Sequence, residues 1–217
     1  GGARVIQGYI DTKNPEDSWI TAAYGISYWY INRLWQLSRH NLNMANFLGG
    51  TGMCFETKLL KELGWGATSL VEDLEFTMRS VQNNVYPKFN YDAKVFDEKP
   101  LTFKASSRQR LRWMQGHFTV ARRYFFPLLW QSIKERSLVK FDLALYGVNV
   151  YIVLLTFLMT ATMFVDIAIF DGPNIVNIYG YLPFWLSFVA VAANVLMFIT
   201  SMVLEKVKFK KVYQYLI

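Results

Sequence analysis

The stretch Gln109-Arg110-Leu111-Arg112-Trp113 decides which fold is expected for this 217-residue chain. It places an amide, two guanidinium groups and an indole within one short segment. A guanidinium stays charged at any physiological pH and forms paired hydrogen bonds to phosphate oxygens. An indole offers a flat apolar face to another ring. The segment therefore indicates a site that holds a diphosphate beside a sugar ring.

A carboxylate pair, Glu72-Asp73, precedes this stretch, and a strongly apolar C-terminal third follows it. A carboxylate can take a proton from an incoming hydroxyl group. Its usual pKa of about 4 makes it a weak base, but repulsion from a neighbouring carboxylate raises that pKa. Adjacent residues at a helix start point in different directions, so a structural role is the alternative for Glu72. For the pair, the alternative is an acidic first turn stabilised by the helix dipole.

Taken in order, Glu72-Asp73 and Gln109-x-x-Arg112-Trp113 resemble the ED and QxxRW motifs of the family 2 inverting glycosyltransferases. Within that family the chain is similar to the membrane-embedded polysaccharide synthases, which make cellulose, poly-N-acetylglucosamine, hyaluronan or chitin. The resemblance covers roughly residues 5–130 and continues in kind through the apolar tail. Supporting segments are Val5-Ile6-Gln7, Asn14-Pro15, the glycine turn Gly49-Gly50-Thr51-Gly52, and Asp97-Glu98-Lys99-Pro100.

The resemblance implies a role for each motif position. Asp73 is the expected catalytic base, with Glu72 beside it. Arg112 and Gln109 are expected to bind the donor diphosphate. The acceptor-binding residues implied are Trp113, whose indole would lie under the acceptor sugar, and Gly50, which lets the backbone approach it. A membrane-interface anchor is the alternative for Trp113, and a plain tight turn is the alternative for Gly50.

The resemblance also implies a nucleotide-sugar donor, expected to be a UDP-sugar, and a divalent metal, Mg²⁺ or Mn²⁺. The DxD metal motif and the uracil-binding aspartate of the family have no match here, because Asp11 and Asp92 lack the spacing and context. No residue of this chain is therefore assigned to the metal. The chain opens at Gly1 without an initiator methionine, so it is expected to be the C-terminal fragment of a longer enzyme. No gating-loop motif of the cellulose-synthase type follows Trp113, which weakens a specific prediction of cellulose.

Composition supports a membrane setting. Hydrophobic residues make up 53% of the chain, and the mean hydropathy of +0.17 is high for a soluble protein. The net charge of +7 comes without a basic face interleaved with aromatic residues, so nucleic acid is not an expected partner. The lone Cys54 excludes an internal disulfide framework and a multi-cysteine metal site. Two separated histidines, His40 and His117, do not suggest a metal centre.

The predicted fold is α/β with three parts. Residues 1–121 are predicted to form part of a GT-A, Rossmann-like catalytic domain, and residues 122–141 an interfacial amphipathic segment. Residues 142–217 are predicted to contain two transmembrane helices, at 143–165 and 181–204, with a basic tail. Each span is long enough to cross the roughly 30 Å hydrocarbon layer. Lysine and arginine flank the hairpin at both ends, which places the catalytic side in the cytoplasm of a multi-pass cell-membrane protein.

Hydrophobic periodicity and turn residues predict the individual elements. The predicted strands are residues 3–9, 45–48, 53–55, 85–89 and 93–96. The predicted helices are residues 19–37, 57–63 and 70–83, and one from Ser106 or Ser107 toward Tyr124. Asp17 or Ser18 is the expected N-cap of the first helix.

The sequence thus predicts an inverting glycosyltransferase that extends a β-linked polysaccharide at the cytoplasmic membrane face. Its expected partners are the nucleotide sugar, a polysaccharide or lipid acceptor, membrane lipid and accessory subunits. Two alternatives stay open: a non-processive enzyme that glycosylates a lipid, and a catalytically inactive membrane adaptor.

Overall fold

A three-stranded sheet in the order β2-β1-β3 lies at the centre of this computed structural model, which describes residues 2–66, 68–170 and 184–207. Strand β1 is Val5–Thr12, and β2, Met53–Phe55, pairs with it antiparallel. Strand β3, Lys88–Asp97, pairs with β1 in parallel, with a register shift between Gly8 and Tyr9. The predicted mixed α/β class is confirmed, whereas the GT-A assignment stays a prediction.

Helices pack around this sheet. They are α1 (Trp19–Tyr30), a π-helical segment (Ile31–Gln36), α2 (Leu37–Asn41), α3 (Thr57–Leu63), α4 (Glu72–Gln82), α5 (Phe103–Glu135), α6 (Leu138–Gly147), α7 (Asn149–Phe170) and α8 (Phe184–Leu204). The predicted N-cap is confirmed at Ser18, whose hydroxyl accepts from the Thr21 amide at 3.2 Å. Thr21 returns the bond to the Ser18 amide at 2.9 Å, which completes a capping box.

The strand predicted at residues 45–48 is wrong. This segment is buried, but side chains form most of the hydrogen bonds to its backbone, and among the described residues the backbone amide of Asn46 alone donates to a backbone carbonyl of another segment, that of Pro87 at 2.9 Å. The Gln36 amide donates to the Phe47 carbonyl at 2.7 Å, and the Leu48 amide donates to the Thr77 hydroxyl at 3.1 Å. The prediction of two separate strands at 85–89 and 93–96 is also wrong. One strand, β3, runs from Lys88 to Asp97, because the register shift opposite Gly8 and Tyr9 lets its pairing with β1 continue.

A buried carboxylate, Glu75, fixes α4 against α5. It accepts the backbone amides of Thr68 and Ser69 at 2.8 and 2.7 Å and the Tyr124 hydroxyl at 3.1 Å. It also pairs with Arg123. These charge-assisted contacts hold the pKa of Glu75 below its usual value despite the opposing effect of burial. The start of α4, where the carboxylate pair lies, is thereby anchored to the helix that carries QxxRW.

Close packing at Gly116 also holds α5 against the start of α4. A methyl group on Gly116 of α5 would lie 2.8 Å from the Val71 side chain and 2.9 Å from its backbone nitrogen. Val71 immediately precedes Glu72-Asp73. The absence of a side chain at residue 116 therefore lets α5 approach the carboxylate pair closely.

The C-terminal helices differ from their predicted bounds. Helix α5 begins after the N-cap Thr102 and runs to Glu135, so the predicted domain boundary at 121/122 falls inside it. The domain division itself stays a prediction. The single helix predicted at residues 143–165 is wrong in its bounds, because its first residues belong to α6, which ends at Gly147, and α7 runs from Asn149 through Asp166 to Phe170. One aspartate costs a helix only a few tenths of a kcal/mol, far less than a proline.

No helix in the described ranges is by itself both long and apolar enough to cross a membrane. Helix α6 and the first part of α7, Asn149–Met159, meet that test together but are bent by 45°. Within α8, Val195–Leu204 forms a shorter apolar helical stretch. The membrane hairpin stays a prediction. Residues 171–183, which include most of the connection between its two predicted helices and the start of the second, lie outside the described residues.

Contacts with the sheet hold the end of α8. The Glu205 carboxylate accepts the hydroxyls of Tyr9 and Tyr91 at 2.8 and 2.6 Å. Arg33 lies 3.8 Å from the same carboxylate and donates to the Tyr91 hydroxyl at 3.0 Å. This cluster connects the last described helix to strands β1 and β3.

Candidate active site

All six residues predicted for the site line one cavity of about 990 Å³. The cavity lies between α1, the glycine turn before β2, the start of α4 and the first half of α5. The six residues are Gly50, Glu72, Asp73, Gln109, Arg112 and Trp113. Segments separated by more than fifty positions in the sequence are thus brought together at one opening. The role of each residue stays a prediction.

Asp73 lies in the first turn of α4 and has the properties of a base. Burial raises the pKa of its carboxyl group to about 6, and the charge of Glu72 acts in the same direction. The Leu74 amide, which donates to Asp73 Oδ1 at 2.7 Å, and the charge of Arg112 oppose this rise. A carboxylate with a pKa near the working pH is better suited to accept a proton than an ordinary one.

The glycine turn closes one side of the cavity. Gln7, buried on β1, accepts the Gly49 amide at 2.8 Å and donates to the Thr51 carbonyl at 2.8 Å. Gly50 has a φ of +78°, and a methyl group placed on it would lie 3.3 Å from Asp73 Oδ2. The turn therefore needs glycine at residue 50 both for its backbone conformation and for the space beside the carboxylate.

Replacing Gly50 with Ala is expected to lower the rate of the reaction at this site about tenfold and the free energy of unfolding by about 1 kcal/mol. Backbone strain at positive φ accounts for the change in stability. Displacement of the Asp73 carboxylate by the added methyl group accounts for the lower rate. Initial rates and urea denaturation of purified variants measure the two effects. Gly64→Ala is the control for backbone strain away from the cavity, since Gly64 has a φ of +63° and a ψ of 153°, a conformation that strains alanine strongly, and nothing lies within 4 Å of the added methyl group. A Gly50→Ala variant as active as Gly64→Ala would contradict the placement of the turn at the site.

Helix α5 presents Gln109, Arg112 and Trp113 on one face, because residues three and four positions apart are neighbours on a helix. Gln109 Oε1 accepts the Tyr24 hydroxyl at 3.1 Å, which leaves its amide donors for a ligand. Trp113 packs edge-to-face on Tyr24, with ring centroids 6.4 Å apart. Among the described residues Arg112 makes no ion pair or hydrogen bond, so its guanidinium is available to an anion.

Arg110 received no role in the sequence analysis, but it lies close to the site. Its side chain is exposed. Its guanidinium also lies 4.9 Å from the Tyr24 ring centroid and lines the cavity. Tyr24 therefore contacts three residues of the QxxRW segment at once, and sequence reasoning missed this role.

The aromatic face of α1 is the main feature that sequence reasoning did not assign to the site. Four residues at helical spacing line the cavity: Tyr24 and Tyr28 of α1, and Ile31 and Trp35 of the π-helical segment that continues it. The helical spacing was the available signal, but it indicates a shared face without telling what covers that face. Phe47 and Tyr146, with ring centroids 3.9 Å apart, extend the aromatic wall toward the α6–α7 bend.

The described residues do not supply a complete set of ligands for the divalent metal that the resemblance implies. Residues 2–66, 68–170 and 184–207 contain no group of three or more histidine, cysteine, aspartate or glutamate side chains that could hold an ion. No catalytic step of this chain is therefore assigned to a metal.

Comparison with known proteins gives the family. The model of the glycosyl transferase family group 2 matches residues 1–204. The chain is also similar to the probable glycosyltransferase YdaM of Bacillus subtilis (strain 168), with 27% identity over 126 residues. That alignment covers 56% of this chain and 29% of the relative, so the chain spans less than a third of that protein's length. Because the family match extends over most of the sequence, this chain belongs to the glycosyl transferase family group 2.

Proposed function

We propose that this chain forms the acceptor side of an inverting glycosyltransferase that takes a sugar from a UDP-sugar and adds it to a growing β-linked polysaccharide. The observation that carries the proposal is the shared cavity: a half-buried carboxylate with a raised pKa, Asp73, lies with an indole, Trp113, and with the guanidinium of Arg112, which has no ion-pair partner among the described residues. Family membership supports the transfer chemistry.

In this mechanism Asp73 accepts the proton of the acceptor hydroxyl. The acceptor oxygen forms its bond to the anomeric carbon while the bond from that carbon to the diphosphate oxygen breaks. Attack opposite the leaving group inverts the anomeric configuration. The guanidinium of Arg112 and the amide of Gln109 stabilise the charge that develops on the diphosphate. Trp113 supports the acceptor ring and holds the two sugars in line.

A membrane acceptor agrees with the surface beyond the cavity. On α5 the large apolar side chains Phe126, Trp130 and Ile133 are 73%, 70% and 64% exposed. Exposed aromatic and aliphatic side chains beside cationic residues suit the interface of a bilayer. At the α6–α7 bend, Asn149 and Ile152 line the same cavity as Asp73. We infer that the product leaves toward the membrane from the cytoplasmic face.

The test is sugar transfer by the full-length protein in native membranes supplied with labelled UDP-glucose or UDP-N-acetylglucosamine. The proposal predicts UDP release coupled to a product whose length grows with time. A product that gains a single sugar on a lipid supports the non-processive alternative instead. A folded protein that releases no UDP from either donor would contradict the enzymatic proposal and favour the adaptor.

A further inference from the structure

We propose that Tyr28 is a further substrate-binding residue, whose phenol hydroxyl hydrogen-bonds a hydroxyl group of the acceptor sugar while Lys99 and Asp97 hold its ring in place. This inference rests on the proposed function and names a contact within that same cavity.

The argument begins with Lys99, an unusual residue for a buried position. Its side chain is only 3% exposed, and its ammonium group donates to Asp97 at 2.6 Å. The same ammonium nitrogen lies 3.7 Å from the centroid of the Tyr28 ring, which is a close cation–π contact. Lys99 is thus neutralised on one side and covered by an aromatic face on the other, so it is not itself an anion site.

The backbone of Lys99 is also fixed. The Asn14 side chain accepts the Lys99 amide at 2.8 Å and donates to the Lys99 carbonyl at 3.1 Å. The Lys13 amide donates to the Asp97 carbonyl at 2.9 Å. These bonds join the end of β3 to the segment after β1. The Tyr28 ring therefore rests on a preorganised support rather than on a mobile side chain.

The hydroxyl of Tyr28 is available, although its ring is held. Within residues 2–66, 68–170 and 184–207 this hydroxyl has no hydrogen-bond partner, and the side chain lines the cavity. Burial, then the negative charges of Asp97 and Asp73, raise the pKa of Tyr28 to about 12. The group therefore stays protonated at physiological pH and can both donate and accept.

The position of Tyr28 points to the acceptor rather than to the diphosphate. It lies one helical turn, about 6 Å along the axis of α1, beyond Tyr24. Tyr24 contacts Trp113, the proposed acceptor platform. The negative charge of Asp73, the proposed base, also raises the pKa of Tyr28. A sugar that presents its hydroxyl to Asp73 and lies on Trp113 would extend along this wall toward Tyr28.

Tyr28→Phe tests the inference because it removes the hydroxyl and keeps the ring over Lys99. With native membranes as the acceptor source and labelled UDP-glucose or UDP-N-acetylglucosamine as donor, two quantities are measured: sugar incorporated into product and free sugar released when water replaces the acceptor. The expected result is a roughly fivefold lower ratio of incorporation to hydrolysis, the size of one lost hydrogen bond. The donor KM is expected to stay unchanged, since only acceptor capture is weakened.

The matched control is Tyr86→Phe, which removes a hydroxyl bonded to Asn84 at 3.4 Å outside the cavity and should leave the ratio unchanged. Lys99→Met should lower the ratio as well, because it removes the support of the Tyr28 ring. The double variant Tyr28→Phe with Lys99→Met should have a ratio no lower than the more affected single variant, because both substitutions act on the same contact of the Tyr28 hydroxyl with the acceptor. An unchanged ratio in Tyr28→Phe overturns the inference, and so does a raised donor KM with the ratio preserved. If the wild-type protein releases no UDP, the proposed function fails first and this inference with it.

Discussion

Replacing Asp73 with Asn is expected to lower the rate of sugar transfer by about 10³-fold, because a positioned general base contributes about 10²–10⁴ to the rate. The amide of Asn has the shape of the carboxylate and can still accept the Leu74 amide, so the first turn of α4 is retained. It cannot take the acceptor proton at any pH. Initial rates with saturating donor measure the effect.

The same substitution is expected to stabilise the fold at high pH. Burial raises the pKa of Asp73 from 3.8 to about 6, so the folded state favours the protonated carboxyl group. Its ionised form costs up to about 3 kcal/mol of folding free energy above pH 6, and this cost disappears below the unfolded-state pKa. Asp73→Asn should therefore gain stability at pH 8 and lose that gain as the pH falls through 6 toward 4. Urea denaturation at several pH values measures it.

Glu72→Gln is the matched control, because it removes the adjacent carboxylate and keeps Asp73. We expect it to retain transfer within about tenfold of wild type, since its main effect is electrostatic. If Asp73→Asn keeps most of its activity, or if Glu72→Gln loses as much as Asp73→Asn, the assignment of the base to Asp73 is wrong.

Replacing Arg112 with Met is expected to lower kcat by about 10²-fold, the size seen when one group that stabilises developing charge is removed. The donor KM should rise much less, because charge on the departing diphosphate is greatest in the transition state. Arg112→Lys should recover only part of the rate, since an ammonium cannot form the paired contacts of a guanidinium. Steady-state kinetics with varied donor separates kcat from KM.

Arg108→Met provides the comparison, because Arg108 is an exposed cation on the same helix that does not line the cavity. It should stay within about twofold of wild type if only Arg112 acts on the diphosphate. Equal losses in both variants would instead indicate that the general positive charge of α5 matters and that Arg112 has no specific role.

The sequence identified site residues best where the chemistry requires a particular residue type. Glu72-Asp73 and the QxxRW residues were identified without coordinates, and they do line one cavity. The roles of Tyr28 and Lys99 were not predictable, because their contact joins α1 to the segment after β3. Nothing in local spacing indicates that an aromatic residue of one helix will cover a lysine some seventy positions later.

The errors in the predicted elements have a similar cause. Residues 45–48 look like a strand because they are apolar, yet Gln36 and Thr77 supply the bonds that a neighbouring strand would supply. Those partners lie ten or more positions away and on different elements. The bounds of α3 and the Ser18 cap were predicted correctly, because the signals for both are local.

The pH dependence of kcat/KM tests the central claim most directly, namely that the half-buried carboxylate of Asp73 is the base and that the charges of Arg112 and Glu72 act on it. Activity should rise with pH through an inflection near 6 and level off above it, because Asp73 must be ionised to accept the proton. The inflection should move to higher pH in Arg112→Met, which removes a charge that lowers the pKa of Asp73. It should move to lower pH in Glu72→Gln, which removes a charge that raises it. A profile with no inflection near pH 6, or an inflection that both variants leave in place, would contradict the account.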